Sequence, residues 1–151
     1  MRKIIYTRPD NSMSIVIPAK DTHPPENISD AEAEQRAWEK LPTFAINPRW
    51  ADDSEIPPDR TFRDAWHDAG KVEIHMGKAR EIHKEKMRYA RVPKLAALDV
   101  EFMRALEKND MAAAAAAATK KQALRDVTAD PEIEAAQTPE ALIAVWPDIL
   151  K

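Results

Sequence analysis

The 151-residue chain carries 23 basic and 26 acidic side chains, for a formal net charge of -3, and 32% of its residues are charged. A surface of mixed sign excludes the one-signed basic footprint of a nucleic-acid binder. The absence of cysteine excludes disulfides, thiolate nucleophiles and thiolate metal sites. Two glycines against twelve prolines leave almost no material for a Gly-rich phosphate loop or a dinucleotide fingerprint. No segment approaches the roughly 18 apolar residues of a membrane span, and the apolar start is too short for a secretory h-region. The length suits a single domain.

Residues 3–18 read as a β-hairpin. Lys3–Thr7 and Met13–Ile17 are rich in β-branched side chains, Pro9-Asp10-Asn11-Ser12 is turn chemistry, and Pro18 ends the second strand. Residues 19–28 read as a Pro-rich loop. Ser29-Asp30-Ala31-Glu32 is a capping box that predicts a helix to about Lys40, stopped by Pro42. Thr43–Asn47 is a candidate third strand. Pro48–Gly70 reads as irregular, with Phe62 and Trp66 an i, i+4 aromatic pair on a short helix or pinned loop. Val72–Met76 alternates like one more short strand.

A long helix is expected from Met76 or Lys78. Ala79, Ile82, Lys86, Met87 and Ala90 share one face, and Leu95, Leu98, Phe102 and Leu106 continue it. Because the apolar phase survives across Pro93, that proline is expected to kink the helix. Asn109 or Asp110 should cap a return helix reaching about Val127, whose seven alanines propagate a helix without adding bulk. Together these make an antiparallel helical hairpin. Asp130-Pro131-Glu132 and Thr138-Pro139-Glu140 each open a short helix, the second carrying Leu142, Val145 and Trp146 and ending at Pro147. The fold class is therefore α+β. A small N-terminal β unit with a helix and an irregular Pro-rich connector spans 1–76, and a helical hairpin with short terminal helices spans 77–151.

Little in the chain points to catalysis. His23, His67, His75 and His83 show no metal-ligand spacing and read as surface or turn residues. A metal site would require His67, His75 and a carboxylate such as Asp68 to converge through folding. The acids between Asp52 and Asp68 lie in polar sequence and read as solvated, no serine sits in a nucleophile elbow, and no cofactor or metal is expected. The basic run from Lys78 to Lys94 lacks aromatic interleaving and reads as a charged outer face, or one that meets an acidic protein. Trp38, Trp50, Phe62, Trp66 and Trp146 are the candidate partner contacts, since Trp is enriched at interface hot spots.

Several blocks occur in an order that resembles a family of bacteriophage tail-region proteins, the tail fibre assembly or tail assembly chaperone proteins. They are Ser14-Ile15-Val16-Ile17-Pro18-Ala19, the distinctive Ile56–Trp66 block, Ala79-Arg80-Glu81-Ile82-His83, Leu95-x-x-Leu98-Asp99, Lys121–Asp126 and Trp146-Pro147. Residues 27–50 do not match the pattern, and the alanine run replaces more varied sequence. The resemblance implies a non-enzymatic tail accessory protein acting by protein contact. Its partners would be tail proteins (tail fibre, tail tip or adaptor), or a second copy of itself, with no nucleic acid or membrane involved. It implies residence in the virion tail as a structural component, with passage through the host cytoplasm during assembly. The alternative is a fibre assembly chaperone that leaves before the particle is complete. Leu124 is expected on the first helix of the hairpin, with Arg125-Asp126 a structural corner.

Overall fold

In a computed structural model of the protein, residues 1–20 and 28–151 are described. His23 and most of the expected 19–28 loop lie outside them. The chain divides into two units, Met1–His75 and Met76–Lys151.

The first unit is built on β1 (Lys3–Thr7), β2 (Met13–Val16) and β3 (Ile46–Ala51), an antiparallel sheet of order β2-β1-β3. The β1–β2 turn forms as its residue types predict. Asn11 takes a left-handed φ of 60°, and the Asp10 Oδ1 accepts from the Ser12 N–H at 2.9 Å. β3 lies downstream of the expected Thr43–Asn47 and contains Pro48. This is tolerated because β3 is an edge strand, where one missing N–H costs no ladder bond. The register slips between Ile5 and Thr7 of β1, opposite Asn47 with its φ of 48°.

Strand alternation divides the sheet into two faces. Ile4 lies opposite Trp50 and Val16, and this face packs on helix α1 (Asp30–Glu39). The expected capping box is complete: the Ser29 Oγ accepts from the Glu32 N–H at 3.2 Å, and the Glu32 carboxylate accepts from the Ser29 N–H at 2.7 Å. Ile5 lies opposite Ile15 and Arg49 on the other face. It is covered by an antiparallel hairpin of β4 (Trp66–Asp68) and β5 (Val72–Ile74), turned at Gly70 with φ of 90°. Ile5, Ala51, Trp66 and Val72 form the core here, with Met13, Ile15, Ile56 and Ile74 packed against it. The middle of the chain is thus less irregular than expected. Trp66 begins a strand, not a helical turn, because its ring is drawn under the sheet.

The second unit is dominated by α2 (Met76–Glu107) and α3 (Met111–Asp126). α2 is a single 32-residue helix across Pro93, about 48 Å long at 1.5 Å per residue. Asn109, left-handed at φ 55°, ends it where glycine is usual, and the Asp110 N–H reaches the Ala105 carbonyl at 2.8 Å. The Asp110 carboxylate then accepts from the Ala113 N–H at 2.9 Å and starts α3. Of the seven alanines, Ala114 and Ala117 are buried and continue to Leu124, a stripe that meets Leu98 and Ala105 of α2. Leu106, expected in this seam, is 38% exposed, and its place is taken by the smaller Ala105. The helices α4 (Pro131–Ala135) and α5 (Pro139–Ala144) start at their predicted Asp130 and Thr138 caps and insert Ile133 and Leu142 into the core.

Candidate protein-contact site

The five aromatic contact candidates do not share one environment. Phe62 and Trp66 are 2% and 3% exposed and belong to the interior of the first unit, so the expectation that they present themselves to a partner is corrected. The Ile56–Trp66 block is therefore largely a folding motif: Phe62, Ala65 and Trp66 are buried, and Ile56 packs on the core. Trp146 is half-buried in the second unit, edge-on to the His83 ring at 5.6 Å.

Trp38 and Trp50 do come together. α1 places Trp38 in its last turn, and β3 projects Trp50 from the same sheet face. Their rings stack at 5.1 Å and 26°. The Arg2 guanidinium lies 4.6 Å from the Trp50 ring centroid and is held by Glu34, with Nη2 at 2.8 Å from Oε2. That hydrogen bond holds the Glu34 carboxyl below its ordinary value. Trp38 remains 37% exposed, so the stack forms an amphipathic surface patch of rigid rings with a fixed cation.

A second apolar surface lies on α2. Tyr89, Val92, Val100 and Met103 are 83%, 61%, 48% and 56% exposed. At about 100° per residue they fall with Ala96 on one stripe, roughly 170° from the buried line through Met87, Leu98 and Ala105. The signal was present in the sequence as a second three- and four-residue periodicity out of phase with the first. It was masked by the stronger interior pattern.

The basic run on α2 is corrected in part. Arg80 donates from Nε to the Ile133 carbonyl at 3.2 Å and from Nη2 to the Ala136 carbonyl at 2.8 Å. Lys84 bridges to Glu134 at 2.7 Å, Arg91 donates to the Arg125 carbonyl at 2.8 Å, and Lys94 reaches the Lys151 carbonyl. Arg80 and Arg91 thus satisfy terminal carbonyls of α4 and α3, where helix dipoles place partial negative charge, while Lys86 and Arg88 stay at the surface. Asp126 accepts from the Gln122 side chain at 2.9 Å, while Arg125 contributes its carbonyl to this corner.

The histidines also depart from expectation. His83 is 3% exposed, with Nε2 2.8 Å from the Val145 carbonyl, and is a core residue, not a surface one. His67 and His75 do converge, their rings 5.9 Å apart edge-to-face. Asp68, however, is taken by Arg49, whose Nε and Nη2 lie 2.9 and 3.0 Å from its two oxygens. Among the described residues no group of three or more His, Asp or Glu side chains is arranged to hold a metal ion, and no helix is long and apolar enough to cross a membrane.

Comparison with known protein families, curated proteins and solved structures finds no match to this chain.

Proposed function

We propose that this protein is a non-enzymatic accessory protein of a bacteriophage tail, acting by protein–protein contact and retained in the particle as a structural component at the tail fibre or tail tip. The observation that carries the contact reading is the outward stripe of α2. A helix whose inner face is already filled by α3 exposes Tyr89, Val92, Val100 and Met103 in helical register. Contiguous exposed apolar surface of this kind marks association surfaces. The stacked Trp38 and Trp50 supply a second rigid patch. The tail assignment rests on the ordered sequence blocks that resemble tail-region proteins.

The test is quantitative mass spectrometry of density-purified phage particles. A fixed copy number per particle, in multiples of three or six, supports the structural role. Absence from particles with abundance in the infected lysate replaces it with the assembly-chaperone role, and absence from both overturns the tail assignment.

A further inference from the structure

Among the described residues, β2 pairs with β1 alone, so its outer edge has no strand partner. A free edge presents a row of backbone donors and acceptors that an added strand can complete. Two adjoining hollows run along this edge. The first, of about 310 Å³, is walled by Arg8, Arg60 and Arg63, with Asp64 as its single acid. The second, of about 360 Å³, is walled by Ile15, Ile17, Ile56, Pro57 and Pro58, with the Lys3–Asp53 ion pair at its margin. Ile15, Arg60 and Trp66 line both. Arg8 and Arg60 form no ion pair among the described residues, and the Arg63–Asp64 pair, at 3.4 Å, is exposed. The Trp66 ring is buried, yet its indole Nε1 has no hydrogen-bond partner among the described residues. A buried donor left unpaired is costly, and an incoming acceptor would relieve it.

We propose that this edge binds an extended acidic segment of a partner protein as an additional strand beside β2. The segment's carboxylate would enter the arginine-lined hollow, and an apolar side chain two residues along would enter the isoleucine–proline hollow. The spacing follows from strand geometry. Alternate side chains share a face and lie about 6.6 Å apart, matching two hollows that meet at Ile15. Guanidinium groups favour carboxylates because their planar fork makes paired, charge-assisted hydrogen bonds. A peptide fits better than a nucleic acid, because a sheet edge needs a backbone that returns its hydrogen bonds, and in the second hollow Lys3 is already paired with Asp53 at 2.7 Å. The inference rests only on the protein-contact part of the function proposed above. A failure here leaves the particle measurement unaffected, and the reverse also holds.

The experiment is a titration of the isotopically labelled full chain with an acetylated, amidated peptide of three Glu-Val repeats, followed by amide and indole resonances. Trp66→Phe assigns the Trp66 indole signal. The expected result is saturable shifts at that indole and at the amides of Met13–Val16. Binding should be weakened at least tenfold by replacing Glu with Gln in the peptide, or by Arg8→Glu with Arg63→Glu in the protein. Both arginines are exposed, so the doubly substituted chain should keep its fold, and an unchanged spectrum away from β2 verifies this. Arg60→Gln provides a milder second variant expected to weaken binding in the same direction. Absence of binding, equal binding of the Gln-Val peptide, or indifference to the arginine substitutions overturns the proposal. Acetate or inorganic phosphate reproducing the whole shift pattern would instead make this a free-anion site and would also overturn it.

Discussion

Replacing Arg80 with methionine tests whether the cations of α2 hold the short terminal helices in place. The methionine keeps an apolar stem and removes the fork that donates to the Ile133 and Ala136 carbonyls at 3.2 and 2.8 Å. A hydrogen bond to a charged donor contributes about 1.5–3 kcal/mol. Here the side chain is 18% exposed, and the two bonds share the ordering of one long side chain. Their joint loss should therefore cost about 2–3 kcal/mol, nearer one strong bond and one weak one than two strong ones. The 3.9 Å approach of Glu134 adds little at its exposure. For a cooperative unit of roughly 60–100 residues, each kcal/mol moves Tm by about 4–8 °C, so the helical far-UV transition should fall by roughly 8–24 °C. Arg80→Lys retains charge without the fork and should fall between. Arg88→Met provides the control. Arg88 reaches Glu85 at 2.8 Å, but the two side chains are 42% and 69% exposed, and such a pair contributes about 0.5 kcal/mol or less. If Arg80→Met melts no lower than Arg88→Met, the carbonyl contacts do not hold the terminal helices.

Leu98→Asp buries an unpaired charge in the α2–α3 seam and should cost about 3–5 kcal/mol, collapsing the helical signal; unchanged helicity and melting would refute the hairpin. Trp66→Ala removes a core ring and should cost about 3–5 kcal/mol, whereas Trp38→Ala, at the surface, should cost about 1 kcal/mol or less; a reversal of that order in chemical denaturation would exchange their structural roles. Stability should decline on the acid side. Hydrogen bonds from Lys84 and Arg49 hold the Glu134 and Glu55 carboxyls below the ordinary value of 4.5, as Arg2 does for Glu34. Their folded values are depressed, so the unfolded chain takes up protons first. The contribution is complete above pH 4.5 and is lost as pH falls through each lowered value. Lys84→Met should flatten that acid limb in a Tm-versus-pH series, and an unaltered limb would show that the Lys84–Glu134 pair contributes nothing.

Much of the local structure was legible in the residues. Asn11 in the hairpin turn, the Ser29–Glu32 box, the Asp110 cap and the proline-led starts of α4 and α5 each depend on groups within a few positions of one another. Such interactions form almost wherever the surrounding chain goes. The helical hairpin was legible for a related reason, since its interior stripe repeats over many turns.

The candidate site was less readable because its parts meet across long separations. The third strand runs on through Pro48 because β3 lies at a sheet edge, and Trp66, read with Phe62 on a short helix or pinned loop, is a strand residue packed with Ile5. His83 and Arg80 look like surface residues of a charged helix, but their acceptors lie 62 and 53–56 positions away. The sequence of α2 by itself determined two apolar stripes, one through Met87 and Leu98 and one through Tyr89 and Met103. Periodicity assigned the first to the hairpin interior; only the tertiary structure decided that the second stays uncovered and that Ala105, not Leu106, closes the seam, because burial depends on how the alanine-rich helix approaches.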